Sequence, residues 1–73
     1  MREFNLRDQV EFHSQSSNAI YDGEVVAVMR DVPREFGPGT ETQVRVRFRD
    51  GTMKTIQVWN ARLKRKGKTG WNG

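Results

Sequence analysis

The clearest structural signal in the sequence is a stretch in which apolar and basic residues alternate before a turn, Val44-Arg45-Val46-Arg47-Phe48-Arg49-Asp50-Gly51. This alternation has the period of a β-strand with one buried face. A second run follows at once, Thr52-Met53-Lys54-Thr55-Ile56-Gln57-Val58. An Asp-Gly pair between two such runs favours a two-residue type I′ turn, because both central residues of that turn need positive φ. The sequence therefore predicts an antiparallel hairpin with Asp50-Gly51 as its turn.

Strand signals continue on both sides of this hairpin. Gln9–Phe12 alternates polar and apolar residues, and Val25–Met29 is a continuous apolar run rich in β-branched residues. Such a run is typical of a central strand that is covered on both faces. The polar residues 14–18 predict one loop, and residues 31–42, which contain proline and glycine, predict a longer one. Asn60–Leu63 predicts one 3₁₀ turn before a last short strand.

Four or five short strands in one small chain predict an all-β fold. A chain of 73 residues has room for one domain, and a small SH3-like, Tudor-like antiparallel barrel covers most of its own strand edges. We expect this barrel over residues 1–66 and a flexible, glycine-rich tail over residues 67–73. The predicted core consists of apolar residues of the strands and their flanks: Leu6, Val10, Phe12, Ile20, Val26, Val28, Val44, Val46, Phe48, Ile56, Val58 and Leu63.

The composition excludes several classes of protein. There is no cysteine and one histidine, which excludes disulfide scaffolds and Cys/His zinc sites. No apolar run approaches the roughly 20 residues of a membrane span. The first residues lack the apolar segment of a signal peptide. We therefore expect a protein that does not contact membranes and stays in the cytoplasm.

The sequence offers little for catalysis. His13 is the only side chain that titrates near neutrality without perturbation. The sequence pattern places no carboxylate to orient it, and neither a nucleophile elbow nor a phosphate-binding loop is present. The expected role of His13 is that of an ordinary surface residue. The sequence thus predicts no catalytic residue, no metal site and no cofactor, in a chain that is not an enzyme.

The net charge of +4 is unevenly divided along the sequence. Residues 1–36 contain four basic and seven acidic side chains, and residues 37–73 contain nine basic and two acidic side chains. A basic half attracts an anionic partner such as nucleic acid or an acidic protein surface. Because a polyanion would repel the acidic half, we expect a molecule with two faces of opposite charge.

Three arginines form the first basic feature, the basic strand face. Period two places Arg45, Arg47 and Arg49 on one side of a strand, about 7 Å apart from one to the next. Three like charges in a row destabilise the fold unless something anionic lies opposite. The anion is either a partner molecule or the acidic residues of the first half of the chain. The candidates for this internal neutralisation are Glu24, Asp22 and Asp31.

The second basic feature, the basic cluster, lies near the C-terminus. Five positive charges within seven residues attract phosphate without reading base sequence, and the affinity falls steeply as salt rises. The alternative is a solvated segment that aids solubility. The members of the cluster are Arg62, Lys64, Arg65, Lys66 and Lys68.

Three large apolar side chains are candidates for docking onto a partner. Phe36 lies in the longer predicted loop, where it either caps the end of the barrel or inserts into the partner. Trp59 directly follows the second strand of the hairpin. Trp71 lies in the tail, where it stacks on a base, anchors in a protein groove or folds back on the barrel.

Part of the chain resembles the Tudor-type SH3-like domains. Those domains combine an aromatic-x-Gly strand, a V-x-F-x-D-G hairpin and a closing 3₁₀ turn. The matching segments lie within residues 8–64 and are Tyr21–Val25, Val44–Gly51 and Val58–Leu63. The resemblance implies a barrel of this type. Tyr21 and Phe48 match positions of the methyl-lysine cage in that family, but residues 14–18 supply no further aromatic side chain, so the resemblance does not extend to the ligand.

The whole chain, in its length, its lack of cysteine and its basic character, resembles the small transcription regulator of a Xanthomonas bacteriophage. That protein engages host RNA polymerase, displaces the σ factor during initiation and suppresses termination. The resemblance implies that the partners are core subunits of host RNA polymerase, with nucleic acid nearby, in the cytoplasm of a bacterial host. It also fits a monomer. No residue role follows from it, because no motif matches position by position.

Two other functions stay open. The first is an SH3-like module that binds RNA or DNA alone, with strong salt dependence. The second rests on Ile56-Gln57-Val58-Trp59, which is similar to a Val-Gln-Ile-Tyr strand of the plasmid-borne trimethoprim-resistant dihydrofolate reductases. That similarity implies a tetramer in which Gln57 and Trp59 line a pore that binds a nicotinamide cofactor.

Overall fold

The computed structural model describes residues 4–66, which form one antiparallel sheet without a helix. The order of the strands across the sheet is β4-β3-β2-β1-β5. The prediction of an all-β antiparallel fold is confirmed, and the architecture is compatible with an SH3-like fold. The predicted tail, with Lys68 and Trp71, lies outside the described residues. The strands are β1 (Gln9–His13), β2 (Ile20–Pro33), β3 (Thr40–Phe48), β4 (Met53–Gln57) and β5 (Leu63–Arg65).

The turn between β3 and β4 is longer than predicted. The Phe48 N–H donates to the Thr52 carbonyl at 2.8 Å, which leaves a three-residue loop at 49–51. Gly51 has a φ of 91°, whereas Asp50 keeps negative φ. The prediction of a type I′ turn, which needs positive φ at both residues, is therefore wrong. A turn followed by a left-handed glycine is the usual three-residue hairpin, and the Asp50 carboxylate stabilises it by accepting from the Thr52 N–H at 3.0 Å.

A bulge in β2 changes which of its apolar residues face the core. The register of β2 against β3 shifts between Val25 and Ala27, and Val25 pairs with Val46. Val25 is fully buried, while Val26 is half-buried. The prediction of Val26 as a core residue is wrong, because an extra residue in one strand reverses the alternation of side chains at that point. β2 is central in the sheet as predicted, although its outer face is only partly covered.

The ribbon formed by β2 and β3 extends farther than predicted. β2 continues to Pro33 and β3 begins at Thr40, so the loop shrinks from residues 31–42 to residues 34–39. A second register irregularity in β2 contains Asp31, whose φ is 57°. Aspartate is among the few residues that adopt left-handed backbone at modest cost. Pairing between the two strands therefore resumes beyond it.

The core is small and entirely apolar. Leu6 and Ile20, which were predicted to belong to it, are 60% and 54% exposed. Phe12, Val28, Phe48 and Val58 pack against the core and are partly buried. The buried apolar side chains within residues 4–66 are Phe4, Val10, Val25, Val44, Val46, Ile56 and Leu63.

A turn before β1 explains why Phe4 is buried and Leu6 is not. The Asp8 N–H donates to the Asn5 carbonyl at 3.1 Å, and the Asn5 N–H donates to the Asp8 carboxylate at 2.8 Å. Arg7 within this turn has a φ of 71°. The chain direction reverses there, so the alternation that starts in β1 does not continue back to Leu6.

The predicted turn after β4 is present. The Leu63 N–H donates to the Asn60 carbonyl at 3.1 Å, an i to i+3 bond that closes a single turn. The Asn60 side chain also accepts from the Arg62 N–H at 2.9 Å. β5 follows immediately and pairs with β1, where Leu63 lies opposite Phe12.

Candidate partner-binding surfaces

Two members of the basic strand face, Arg45 and Arg47, point away from the core as predicted, whereas Arg49 lies in the hairpin loop beyond the end of β3. Both of these arginines are exposed and alternate with the buried Val44 and Val46. The Arg47 guanidinium on β3 lies 3.6 Å from the Glu24 carboxylate on β2. The prediction of internal neutralisation is therefore confirmed for this arginine. Within residues 4–66, the other two arginines of the face form no ion pair. Two of its three guanidinium groups are therefore available to an anionic partner.

The basic cluster divides into paired and unpaired residues. Arg65 lies 3.2 Å from Asp8, whose side chain is only 13% exposed, and Lys66 lies 3.1 Å from Asp22. These two ion pairs connect the end of β5 to the residue before β1, and the residue after β5 to β2. Arg62 and Lys64 form no ion pair in the part of the chain that the structure describes. The cluster is thus partly structural, and among its members up to residue 66 the unpaired charges are Arg62 and Lys64.

The expectation of two oppositely charged faces is wrong for the sheet. Glu11 lies opposite Asp22, and both are on the outer side of β1 and β2 together with Glu24. Since β1 and β2 lie between β5 and β3, these acids form a central stripe with basic residues on each side. Lys64 faces Glu11 from β5, and Arg47 faces Glu24 from β3. The two halves of the sequence interleave in space, which offsets the like-charge contact between Glu11 and Asp22.

Trp59 is exposed yet held in one orientation. Its indole is 60% exposed, and its Nε1–H donates to the Glu41 carboxylate at 2.7 Å. The Gln43 amide donates to the other carboxylate oxygen at 2.8 Å. The hydrogen bond from Trp59, then that from Gln43 and the charge of Arg34, hold the pKa of Glu41 below its ordinary value. The carboxylate is therefore ionised at neutral pH and fixes the indole at the surface.

Phe36 does not pack against the sheet as a cap. It lies in the 34–39 loop with 81% of its surface exposed. The loop is closed by the Arg34 N–H, which donates to the Gly39 carbonyl at 3.2 Å. Glu41 follows this loop at the start of β3, so the loop and the held Trp59 belong to the same part of the molecule. We call Arg34, Phe36, Glu41 and Trp59 the ribbon end.

His13 has a partner that the sequence analysis did not identify. Its Nε2 lies 3.4 Å from the Glu11 carboxylate. Residues two apart in a strand share one face, so the spacing of Glu11 and His13 within β1 was the signal for this contact. The pair is half-exposed, and within residues 4–66 the His13 ring bonds to no other side chain.

Three aromatic rings converge at one end of the inner side of the sheet. The Phe48 ring centroid is 6.0 Å from that of Tyr21 and 6.5 Å from that of Phe12. The resemblance to Tudor-type domains singled out Tyr21 and Phe48 but not Phe12. Phe12 on β1 lies opposite Tyr21 on β2. These rings line a cavity of about 250 Å³, the aromatic pocket, together with Ser14, Asp50, Thr52 and Lys54.

Lowering the pH is expected to release the Trp59 indole. The pKa of Glu41 is lower in the folded than in the unfolded chain. The hydrogen bond from Trp59 to the Glu41 carboxylate therefore stabilises the fold at pH values above the unfolded-state pKa of Glu41. This stabilisation is lost as the pH falls through the folded-state pKa. In a Trp71→Phe background, Trp59 fluorescence should change only at pH values below the ordinary pKa of a glutamate carboxyl. Glu41→Gln should remove this transition. A transition that persists in Glu41→Gln would assign it to another group.

Comparisons of the chain with protein-family models, with curated proteins and with solved structures find no match. Residues 4–66 contain no apolar helix of the length that a bilayer crossing requires. The same residues contain no group of three or more acidic or histidine side chains that could hold a metal ion. The function is therefore inferred from the surfaces described above and from the resemblances of the sequence.

Proposed function

We propose that this chain is a binding protein rather than an enzyme and that its partner is the core of bacterial RNA polymerase. The observation that carries the proposal is the ribbon end, where Trp59 and Phe36 are 60% and 81% exposed. Exposed aromatic side chains of this kind are enriched among the residues that dominate protein interfaces. The ribbon end is thus the surface that we assign to a protein partner.

The hydrogen bond between Trp59 and Glu41 supports this assignment. A side chain that is already ordered loses less conformational entropy when it is buried in a complex. The 2.7 Å bond to Glu41 fixes the indole before any partner arrives. A rigid, exposed aromatic side chain is therefore suited to anchor a complex.

The identity of the partner is supported by the resemblance of the whole chain to a phage regulator of transcription. On this basis we propose a phage-encoded protein that inhibits initiation by displacing the σ factor and suppresses termination. The unpaired cations support a position near nucleic acid, because each can contact a phosphate. In the described part of the chain these cations include Arg45, Arg49, Arg62 and Lys64.

Transcription by purified bacterial RNA polymerase tests the proposed function. The chain should reduce transcription from a σ-dependent promoter and increase readthrough at a terminator placed downstream. Trp59→Ala should raise the protein concentration required for both effects about 30-fold, because truncation of an interface hot spot costs about 2 kcal/mol or more of binding free energy. Leu6→Ala is the matched control, since Leu6 is equally exposed on a different segment. Equal effects of the two variants would remove the ribbon end from the interface.

A nucleic-acid-binding module that acts alone is the second candidate, and the unpaired Arg45 and Arg49 favour it. Such a module would bind duplex DNA or RNA without polymerase, and its affinity would fall linearly with the logarithm of salt concentration. Binding of that kind, with no binding to polymerase, would replace the first proposal. An assembly about four times the size of the chain that binds a nicotinamide cofactor would instead support the reductase alternative.

A further inference from the structure

We propose that the aromatic pocket binds one base of single-stranded nucleic acid, which stacks on Tyr21 while Lys54 contacts the adjoining phosphate. This site goes beyond the proposed function, because it lies in a different part of the molecule from the ribbon end and needs no polymerase. Its walls are Phe12, Tyr21 and Phe48. The inference rests on the arrangement of these rings, on the charge at the pocket and on its size.

The ring geometry leaves one aromatic surface open. Tyr21 stands edge-on to Phe48, with an interplanar angle of 62°. Phe48 is packed between Tyr21 and Phe12 and is only partly exposed. Tyr21 is 49% exposed, so it presents the accessible ring. Stacking on such a ring tolerates any base, because every base has a π-face.

Lys54 determines which kind of ligand fits. Its Nζ lies 5.5 Å from the centroid of the Phe12 ring, so the chain's own ammonium group already makes the cation–π contact in the pocket. A second cation would be repelled by it at this range. A neutral planar group linked to an anion avoids that repulsion and attracts the ammonium instead. A nucleotide has this combination of a planar base and a phosphate.

The polar groups at the pocket fit the edge of a base. Thr52 donates through its N–H and its hydroxyl to one oxygen of Asp50, and these bonds hold the pKa of Asp50 below its ordinary value. The second carboxylate oxygen of Asp50 can accept from an amino or imino group of a base. The Ser14 hydroxyl is a further donor or acceptor.

The size of the pocket fits one base rather than a whole cofactor. Its volume of about 250 Å³ lies below the range of about 300–1,000 Å³ that is usual for sites that enclose a small molecule. The rest of the strand would therefore lie outside the pocket. There, contacts with phosphates depend on salt but not on sequence.

The test is the affinity of the pure protein for fluorescently labelled single-stranded DNA and RNA oligonucleotides, measured by anisotropy without polymerase. Tyr21→Ala should weaken binding about tenfold or more, which corresponds to the loss of one stacked base. Tyr21→Phe should bind as the wild type does. Lys54→Gln should weaken binding and reduce the salt slope by about one unit. Phe36→Ala, which removes an exposed ring from the ribbon end, should have no effect. Comparison of the DNA and RNA arms identifies the preferred strand.

Three results would overturn the proposal. The first is that the wild-type protein does not bind single-stranded oligonucleotides. The second is that Tyr21→Ala binds them as tightly as the wild type does, while its circular dichroism spectrum shows the native fold. The third is a trimethyl-lysine peptide that binds wild-type protein more tightly than the oligonucleotides do and loses its binding in Tyr21→Ala, which would show that the pocket accepts a cation while Lys54 is present. None of these results bears on the ribbon end, so failure of this site and failure of polymerase binding are distinguishable.

Discussion

Val44→Asp is expected to leave the chain unfolded at 25 °C. Val44 is fully buried, and its cross-strand neighbours are Val28 on β2 and Ile56 on β4. No cation is among these neighbours, so the new carboxylate would be buried without a partner. An unpaired buried charge costs about 3–5 kcal/mol. That is comparable with the whole stability of a domain this small, which is about 5 kcal/mol.

Arg45→Asp is the matched control for this prediction. It introduces the same carboxylate one residue along β3, on the exposed outer side of the strand. The control should melt cooperatively in a thermal unfolding experiment followed by circular dichroism, whereas Val44→Asp should show no transition. A cooperative transition in Val44→Asp near the wild-type temperature would mean that the core is not where the structure places it.

Gly23→Ala is expected to have the second-largest effect on stability. A Cβ atom at Gly23 would lie 2.5 Å from Val46 Cγ1 and 3.0 Å from both the Arg47 carbonyl oxygen and Phe48 Cδ1. Val46 is fully buried and cannot move away freely. Overpacking of this kind costs about 1–3 kcal/mol. For a chain of this length each kcal/mol lowers the Tm by about 4–8 °C.

A double-mutant cycle separates the steric contact from other causes. Val46→Ala alone should destabilise the fold, because it leaves a cavity in the core. In the double variant, Val46→Ala removes the methyl group that the new Cβ at position 23 would meet. The double variant should therefore lose less stability than the sum of the losses in the two single variants. Strictly additive losses, or a Gly23→Ala variant as stable as wild type, would contradict the close approach of β2 and β3 at this point.

The sequence was informative where alternation and turn residues act locally. The pattern from Val44 to Phe48 predicted β3 and its buried face, and the Asp-Gly pair located the hairpin. The Asp-Gly pair did not predict the length of the loop, because a type I′ turn and a turn followed by a left-handed glycine both accept this pair. The bulge after Val25 was also not predictable, since an unpaired residue in a continuous apolar run leaves no change in periodicity.

The sequence indicated which residues belong to the candidate surfaces, but it did not predict which of these residues contact one another. Trp59 was predicted as a candidate docking residue, but its bond to Glu41, which joins residues 18 positions apart, was not predicted. The pairing of Arg65 with Asp8 likewise joins the two ends of the described chain. Charge counting along the sequence gave two halves, whereas strand order places the acids between the bases. Contacts of this kind depend on topology, which composition does not contain.

Binding of the pure chain to purified core RNA polymerase, measured without nucleic acid, tests the proposed function most directly. We expect saturable binding of one chain per enzyme that changes little with salt, because the anchors at the ribbon end are apolar. Trp59→Ala should weaken it about 30-fold, while Leu6→Ala and Tyr21→Ala should bind as wild type does. Absence of binding to core enzyme, with Trp59→Ala and wild type indistinguishable, would contradict the proposal.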